Sequence, residues 1–204
     1  MHEQLDALLC TRYPAIFSAC EPGNQRLFGF ECGDGWFTLI EAACRLIQHH
    51  INATGTEQLM ASQVKEKFGG LRFYCRHASD YATSVVDLSE SLSLHVCEVC
   101  GAPGRTVSRS GWMRTRCPEH ESTTAYDERI MKASRENILQ SPSIADVMEA
   151  SLAFFALDSQ SAARWLTQPA MALGHAVPLH LAVSAEGQRQ VLTLIGRLEH
   201  GVSS

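Results

Sequence analysis

Along residues 34–51, DGWFTLIEAACRLIQHHI, apolar side chains recur at spacings of three and four: Trp36, Leu39, Ile40, Ala43, Leu46, Ile47 and Ile51. That period puts them on one stripe of a helix, with Asp34 placed to cap its start. Over residues 63–75 the pattern changes. Val64 and Phe68 precede Gly69-Gly70, and then Leu71, Phe73 and Cys75 alternate with Arg72 and Tyr74. Paired glycines accept the positive φ of a tight turn, so this segment predicts a β-hairpin. Helical spacing returns over 80–94, with Tyr81, Val85, Leu88 and Leu92 on one face.

Residues 123–139 carry few apolar positions (Tyr126, Ile130, Ile138), which predicts a largely exposed connecting helix broken at Ser141-Pro142-Ser143. Ser143 with Asp146 three residues on resembles a capping box opening the next helix, which carries Val147, Met148, Leu152, Phe154 and Phe155. Asp158 is placed to cap a short helix that ends at Pro169, and Pro178 suits the first turn of another. Ser184 caps a last helix with Val191, Leu192, Ile195 and Leu198 as its stripe and Gly201 as its stop. The expected class is α+β. An N-terminal α/β unit with a β-hairpin and zinc-ribbon-like knuckles spans 1–120, a connecting helix and linker span 121–142, and an all-α bundle of short helices spans 143–204.

Composition sharpens this division. The chain has 204 residues, 45% of them hydrophobic, which excludes wholesale disorder. No run of eighteen apolar residues exists and MHEQLDALLC is not a secretory leader, so no membrane span and a cytoplasmic location are expected. The net charge of −5 argues against a chain coated in basic charge. All eight cysteines lie at or before Cys117. A reducing compartment makes disulfides a poor use for them.

Four residues have metal-ligand spacing: Cys97-x2-Cys100-x16-Cys117-x2-His120. Two knuckles of this kind let three thiolates and one imidazole converge tetrahedrally on one zinc ion. All four positions being filled by protein, the zinc would be structural. The plain alternative is buried free cysteines beside an exposed histidine. Cys10, Cys20, Cys32, Cys44 and Cys75 stand alone in apolar contexts and read as core residues. Between the knuckles lie Arg105, Arg109, Arg114 and Arg116 with Trp112. Guanidiniums and an indole on a small loop can grip phosphate or stack on a base. The few cations and the acidic balance of the chain favour instead a solvated loop with Trp112 packed on the knuckle. No Gly-x-Ser-x-Gly, phosphate loop or H-E-x-x-H motif occurs, Asp34 is accounted for as a cap, and Cys44 with His49 do not share a helix face. No catalytic residue is assigned and the chain is not expected to be an enzyme.

The C-terminal segment carries a more specific pattern. Ala163-Arg164-Trp165-Leu166-Thr167-Gln168-Pro169 is followed by Ala172-Leu173-Gly174, Pro178-Leu179, Glu186-Gly187, Val191 and Arg197-Leu198-Glu199-His200-Gly201-Val202. From about residue 144 to 204 this resembles the Xre/MbcA/ParS-type antitoxin toxin-binding domain. His175 stands where a second glycine is usual, and Ala182-Val183 where leucine and a short polar residue are frequent. The resemblance implies an antitoxin of a type II toxin–antitoxin system. Its partner would be a RES-domain toxin, similar in fold to ADP-ribosyltransferases and consuming NAD. Toxin contacts would fall on Trp165, Pro178, Arg197, Glu199 and Gly201, with the tail after Gly201 reaching into the toxin. A unit of this size has a marginal core, so it would lean on its partner or on a homodimer. Residues 1–120 show no helix-turn-helix, so DNA autoregulation does not follow from the resemblance. They are similar instead to uncharacterised phage and bacterial proteins with Gly35-Trp36-Phe37, a hairpin from Lys65 to Tyr74 and the Cys97–His120 knuckles. The second class of function weighed here is a zinc-dependent nucleic-acid-binding or regulatory protein.

Overall fold

The computed structural model describes residues 1–17, 29–109, 111–122 and 128–201. Its organising element is the striped helix, α2 (Phe37–Thr54), which buries Leu39, Ile40, Ala43, Leu46, Ile47 and Ile51. It runs three residues past the expected end, to Thr54, and is closed by Gly55, whose φ of +69° lets its N–H return to the Ile51 carbonyl. His50 lies within the helix and stacks on Tyr81 at 4.2 Å. Asp34 does not cap α2. It sits in a preceding 3-10 turn, Asp34–Trp36, and α2 starts without a side-chain cap. The carboxylate is spent elsewhere, accepting from the His2 N–H at 2.7 Å and pairing with Arg135 at 3.5 Å.

The hairpin forms as β2 (Met60–Lys67) and β3 (Gly70–Arg76), joined in antiparallel register with Val64 opposite Phe73. Its turn lies one residue earlier than expected. Phe68 and Gly69 hold the positive φ values, 55° and 79°, and Gly70 begins the strand. A short β1 (Phe30–Glu31) adds in parallel to β2. β3 packs on α3 (Asp80–Ser93), which Ser79 caps, and Val64, Leu71 and Phe73 of the sheet join the apolar residues of α2 in one core. Two elements had no signature in the sequence pattern. These are β1 and an N-terminal helix α1 (Glu3–Arg12), which inserts Leu5 and Leu9 into the core.

β4 (Arg105–Arg109) and β5 (Trp112–Arg116) pair as a two-stranded ribbon. Helix α4 (Glu128–Gln140) follows, mostly exposed but with Ser134 and Ile138 buried on one edge. Tyr126 and the side chain of Ile130 lie outside the described residues.

The remaining helices are α5 (Ala145–Phe154), α6 (Ser159–Thr167), α7 (Pro178–Leu181) and α8 (Ala185–Glu199). Asp158 caps α6 through the N–H groups of Gln160 and Ser161, and Ser184 caps α8 through Gly187. The Ser143–Asp146 capping box does not form. The Ser143 hydroxyl donates to Glu41 and Asp146 pairs with Arg45, so both groups tie α5 to α2. α5 packs on α2 and α6 along α3, and one apolar core runs without interruption from Leu5 to Ile195.

Candidate metal centre and partner-binding face

Cys97, Cys100, Cys117 and His120 converge as their spacing predicted. Their ligand atoms all lie within 4.8 Å of one another. Cys100 Sγ is 3.7 Å from Cys117 Sγ, and His120 Nδ1 is 3.7 Å from Cys97 Sγ and 3.2 Å from Cys117 Sγ. Metal–sulfur bonds of about 2.3 Å at tetrahedral angles put the sulfurs ~3.7 Å apart, so the donor set fits a metal ion. The Cys97 thiol is pushed down to about 4, first by a hydrogen bond from the Cys100 thiol and further by the backbone amides of Cys117, Cys100 and Val99. A sulfur ringed by amides in this way is ready to ligate as thiolate.

The knuckle is seated on residues far away in sequence. Gly35 donates its N–H to the Glu98 carbonyl at 2.9 Å. A Cβ on Gly35 would stand 2.1 Å from the Cys97 carbonyl, and one on Gly33 2.2 Å from that of Glu98. Only glycine fits at both positions, because the knuckle backbone fills the space of a side chain. The Trp36 indole donates to Val96 at 2.9 Å. Glu98 is buried, accepting from the Gly33 N–H and pairing with Arg116 at 2.8 Å. Helix α4 closes the far side through Arg135 on Asp34. The Gly33–Trp36 stretch is thus a cradle for the metal loop, a role that spacing along the chain does not disclose.

The four arginines differ in their surroundings. Arg116 is committed to Glu98, and Arg105 pairs with Glu121 at 3.2 Å. Arg109 and Arg114 are exposed without an acidic partner among the described residues. Trp112 does not pack on the knuckle; it is 72% exposed.

In the C-terminal bundle Trp165 is half-buried, whereas Pro178 is buried at the start of α7 and does not present itself for direct contact. Arg197 and Glu199 are exposed at the end of α8, and Gly201 closes that helix with φ +68° and its N–H on Leu198. The tail Val202–Ser204 lies outside the described residues. Gly187 meets α7 so closely that a Cβ would stand 2.0 Å from the Leu181 carbonyl. Gly174 and His175 both take left-handed φ, 64° and 65°, so the histidine holds a glycine conformation. Met171, 82% exposed, is an apolar outcrop on the same bundle that the sequence pattern gave no reason to single out.

A cavity of about 530 Å³ lies between these regions, bounded by Cys100 and His120, by Ser134 and Ile138 of α4 and by Leu179 of α7. Its walls come from segments scattered along the chain, so no local motif marked it. Of the remaining described cysteines, Cys32 and Cys44 are core residues, and Cys10 and Cys75 are half-buried against the core's edge. Burial pushes Cys32 up to about 12 and raises Cys44 and Cys75. Cys10 donates to Asp6, and Cys20 lies outside the described residues.

The family described as the antitoxin Xre/MbcA/ParS C-terminal toxin-binding domain matches residues 153–201. The Antitoxin Xre of Yersinia enterocolitica serotype O:8 is 31% identical over 126 residues, which cover 58% of this chain and 74% of that protein. The match is longer than the 153–201 segment and takes in residues outside it. The Antitoxin Xre of Photorhabdus laumondii is 36% identical over 58 residues, 28% of this chain and 39% of that protein. No solved structure matches the chain.

Proposed function

The chain belongs to the Xre antitoxin family, and from that premise we propose that it neutralises a RES-domain, NAD-consuming toxin in the cytoplasm by binding it through residues 143–204. The observation that carries this reading is the toxin-binding pattern at 153–201, laid out on a bundle whose α8 end presents unpaired charge. Arg197 and Glu199 are exposed for contacts with a partner, Gly201 ends α8, and the half-buried Trp165 is an apolar anchor on the same bundle. An aromatic with flanking charge is the usual composition of a binding hot spot. The chain acts by binding, with no catalytic residues of its own.

The metal in this reading is one structural zinc ion on Cys97, Cys100, Cys117 and His120. Three sulfurs and an imidazole are the donor set zinc prefers, and with all four positions filled none is open for chemistry. Residues 143–204 act as the recognition unit. Cut from the chain, they lose the apolar cover of α2 and α3, so the fragment is expected to fold only with its toxin or as a homodimer.

Co-expression with a RES-domain toxin tests the proposal. The full chain should restore growth and cellular NAD. Arg197→Glu with Glu199→Arg should lose most of that rescue while keeping wild-type helix content. Full rescue by the reversed pair would move the contact to the surface around Trp165, and failure of the wild-type chain to restore NAD would rule out this toxin class.

A further inference from the structure

The β4–β5 ribbon sorts its side chains by face. Its register sets Arg105 opposite Arg116, Val107 opposite Arg114 and Arg109 opposite Trp112. Residues opposite one another in an antiparallel ladder share a face. All four arginines and the tryptophan therefore lie on one side. The other side carries Thr106, Ser108, Met113 and Thr115 and rests on the β2–β3 turn, where the Thr115 hydroxyl donates to the Gly69 carbonyl at 2.6 Å.

The basic face is neutralised only at its base. Glu121 answers Arg105 and Glu98 answers Arg116. Towards the tip, Arg109 and Arg114 flank an indole that is 72% exposed. Residues 105–116 hold four of the chain's 17 basic side chains and none of its 22 acidic ones. Crowding like charges on one face costs stability, and exposing an indole forgoes its burial. Neither gives anything back within the fold.

The β2–β3 turn, packed under the opposite face of the ribbon, carries a second exposed ring. Gly69 lies against the backbone of Met113 and Arg114. Beside it Phe68 is 68% exposed, and Lys67 Nζ stands 5.5 Å over its ring. Phe68 holds φ 55°, a strained value for an aromatic residue, and strain of that kind gathers at binding sites.

We propose that this face binds single-stranded nucleic acid, with Trp112 stacking on a base and Arg109 and Arg114 taking the flanking phosphates. An open ring beside unpaired guanidiniums matches a strand that offers both bare base faces and phosphates. A duplex hides its base faces in the stack, and an acidic polypeptide offers charge without flat rings to meet Trp112. The site is separate from the toxin-binding segment, so either reading stands or falls without the other.

The test uses the full, metal-loaded chain without toxin, and fluorescein-labelled oligo(dT), oligo(U) and a duplex of equal length at two salt concentrations. Wild type should bind the single strands, more weakly as salt rises, and a preference for one sugar would tell DNA from RNA. Trp112→Ala should weaken binding about tenfold and Trp112→Phe should restore most of it, because the stacking ring is retained. Arg109→Gln with Arg114→Gln should weaken binding and flatten its salt dependence. Circular dichroism and metal content should match wild type in each variant. The proposal is overturned if neither single strand binds, if the duplex binds more tightly, if Trp112→Ala binds as wild type, or if polyglutamate competes as well as unlabelled oligonucleotide.

Discussion

The knuckle and the C-terminal bundle are held together by opposite means. The knuckle's apolar cluster is small, Cys97, Val99 and Cys117 with Cys100 and Ala102 packed against it, and it is separate from the main core. Its order rests on four convergent ligands, two glycines without side-chain space and a buried ion pair. The bundle contributes Leu152, Leu166, Val191 and Ile195 to an apolar core it shares with α2 and α3. One region is held by close backbone approach, a buried ion pair and a clustered donor set that fits a metal ion, the other by burial. The same perturbation should therefore have unequal effects on the two.

Metal removal should separate them most sharply. A structural zinc site in a small loop contributes on the order of 10 kcal/mol, more than that loop's apolar burial can replace. A chelator should abolish amide protection over 95–122 and leave α5–α8 protected, as read by hydrogen exchange. Acid should act in the same direction. Protons compete with a metal ion for the thiolates, so bound metal and the stability it confers should be lost as pH falls. The knuckle should open in mild acid while the bundle keeps its helicity.

Next in size is Arg116→Ala, which leaves the Glu98 carboxylate buried without its cation. The cost is about 3–5 kcal/mol in urea unfolding. Adding Glu98→Gln should recover part of it.

Two glycine substitutions sharpen the contrast at similar cost. Gly35→Ala and Gly187→Ala both place a Cβ near 2 Å from a carbonyl oxygen, for about 1–3 kcal/mol each. The Gly35 penalty should vanish once metal is stripped, since the knuckle no longer presses on the cradle. The Gly187 penalty should persist. The smallest effect is expected from His175→Gly. Release from left-handed φ gains about 1–2 kcal/mol, and the freer unfolded chain offsets about 0.5–1 of that. Thermal melting should rise by about 2 °C.

The bundle was legible in the sequence because its signals are local. Asp158, Ser184, Pro178 and Gly201 each act within a turn of where they stand, and each does what its type predicts. The convergence of Cys97, Cys100, Cys117 and His120 was legible for the same reason, since each knuckle is two residues three apart. Asp34 and Ser143 misled because both look like helix caps, and distant partners, Arg135 and Glu41, claim their oxygens instead. The cradle glycines escaped notice because their reason for being glycine lies some 60 residues along the chain. The arginines of the ribbon could be counted from sequence, but their segregation to one face needed the β4–β5 register. Helix α1 gave no signal because two leucines four apart are too short a stripe.

The contact between Gly35 and Glu98 also has a bearing on how the chain assembles. Cys97 and His120 are joined by a short loop that closes at small entropic cost, whereas the Gly33–Glu98 hydrogen bond spans 65 positions and closes a loop nearly three times as long. Gathering the four Cys and His side chains is therefore a local event that can precede the rest of the fold. Docking the closed loop onto Gly33 and Gly35 is a non-local one, and non-local closures set the pace of folding. The cradle leaves no room to thread past a side chain, so its two glycines also keep that late step free of a steric gate.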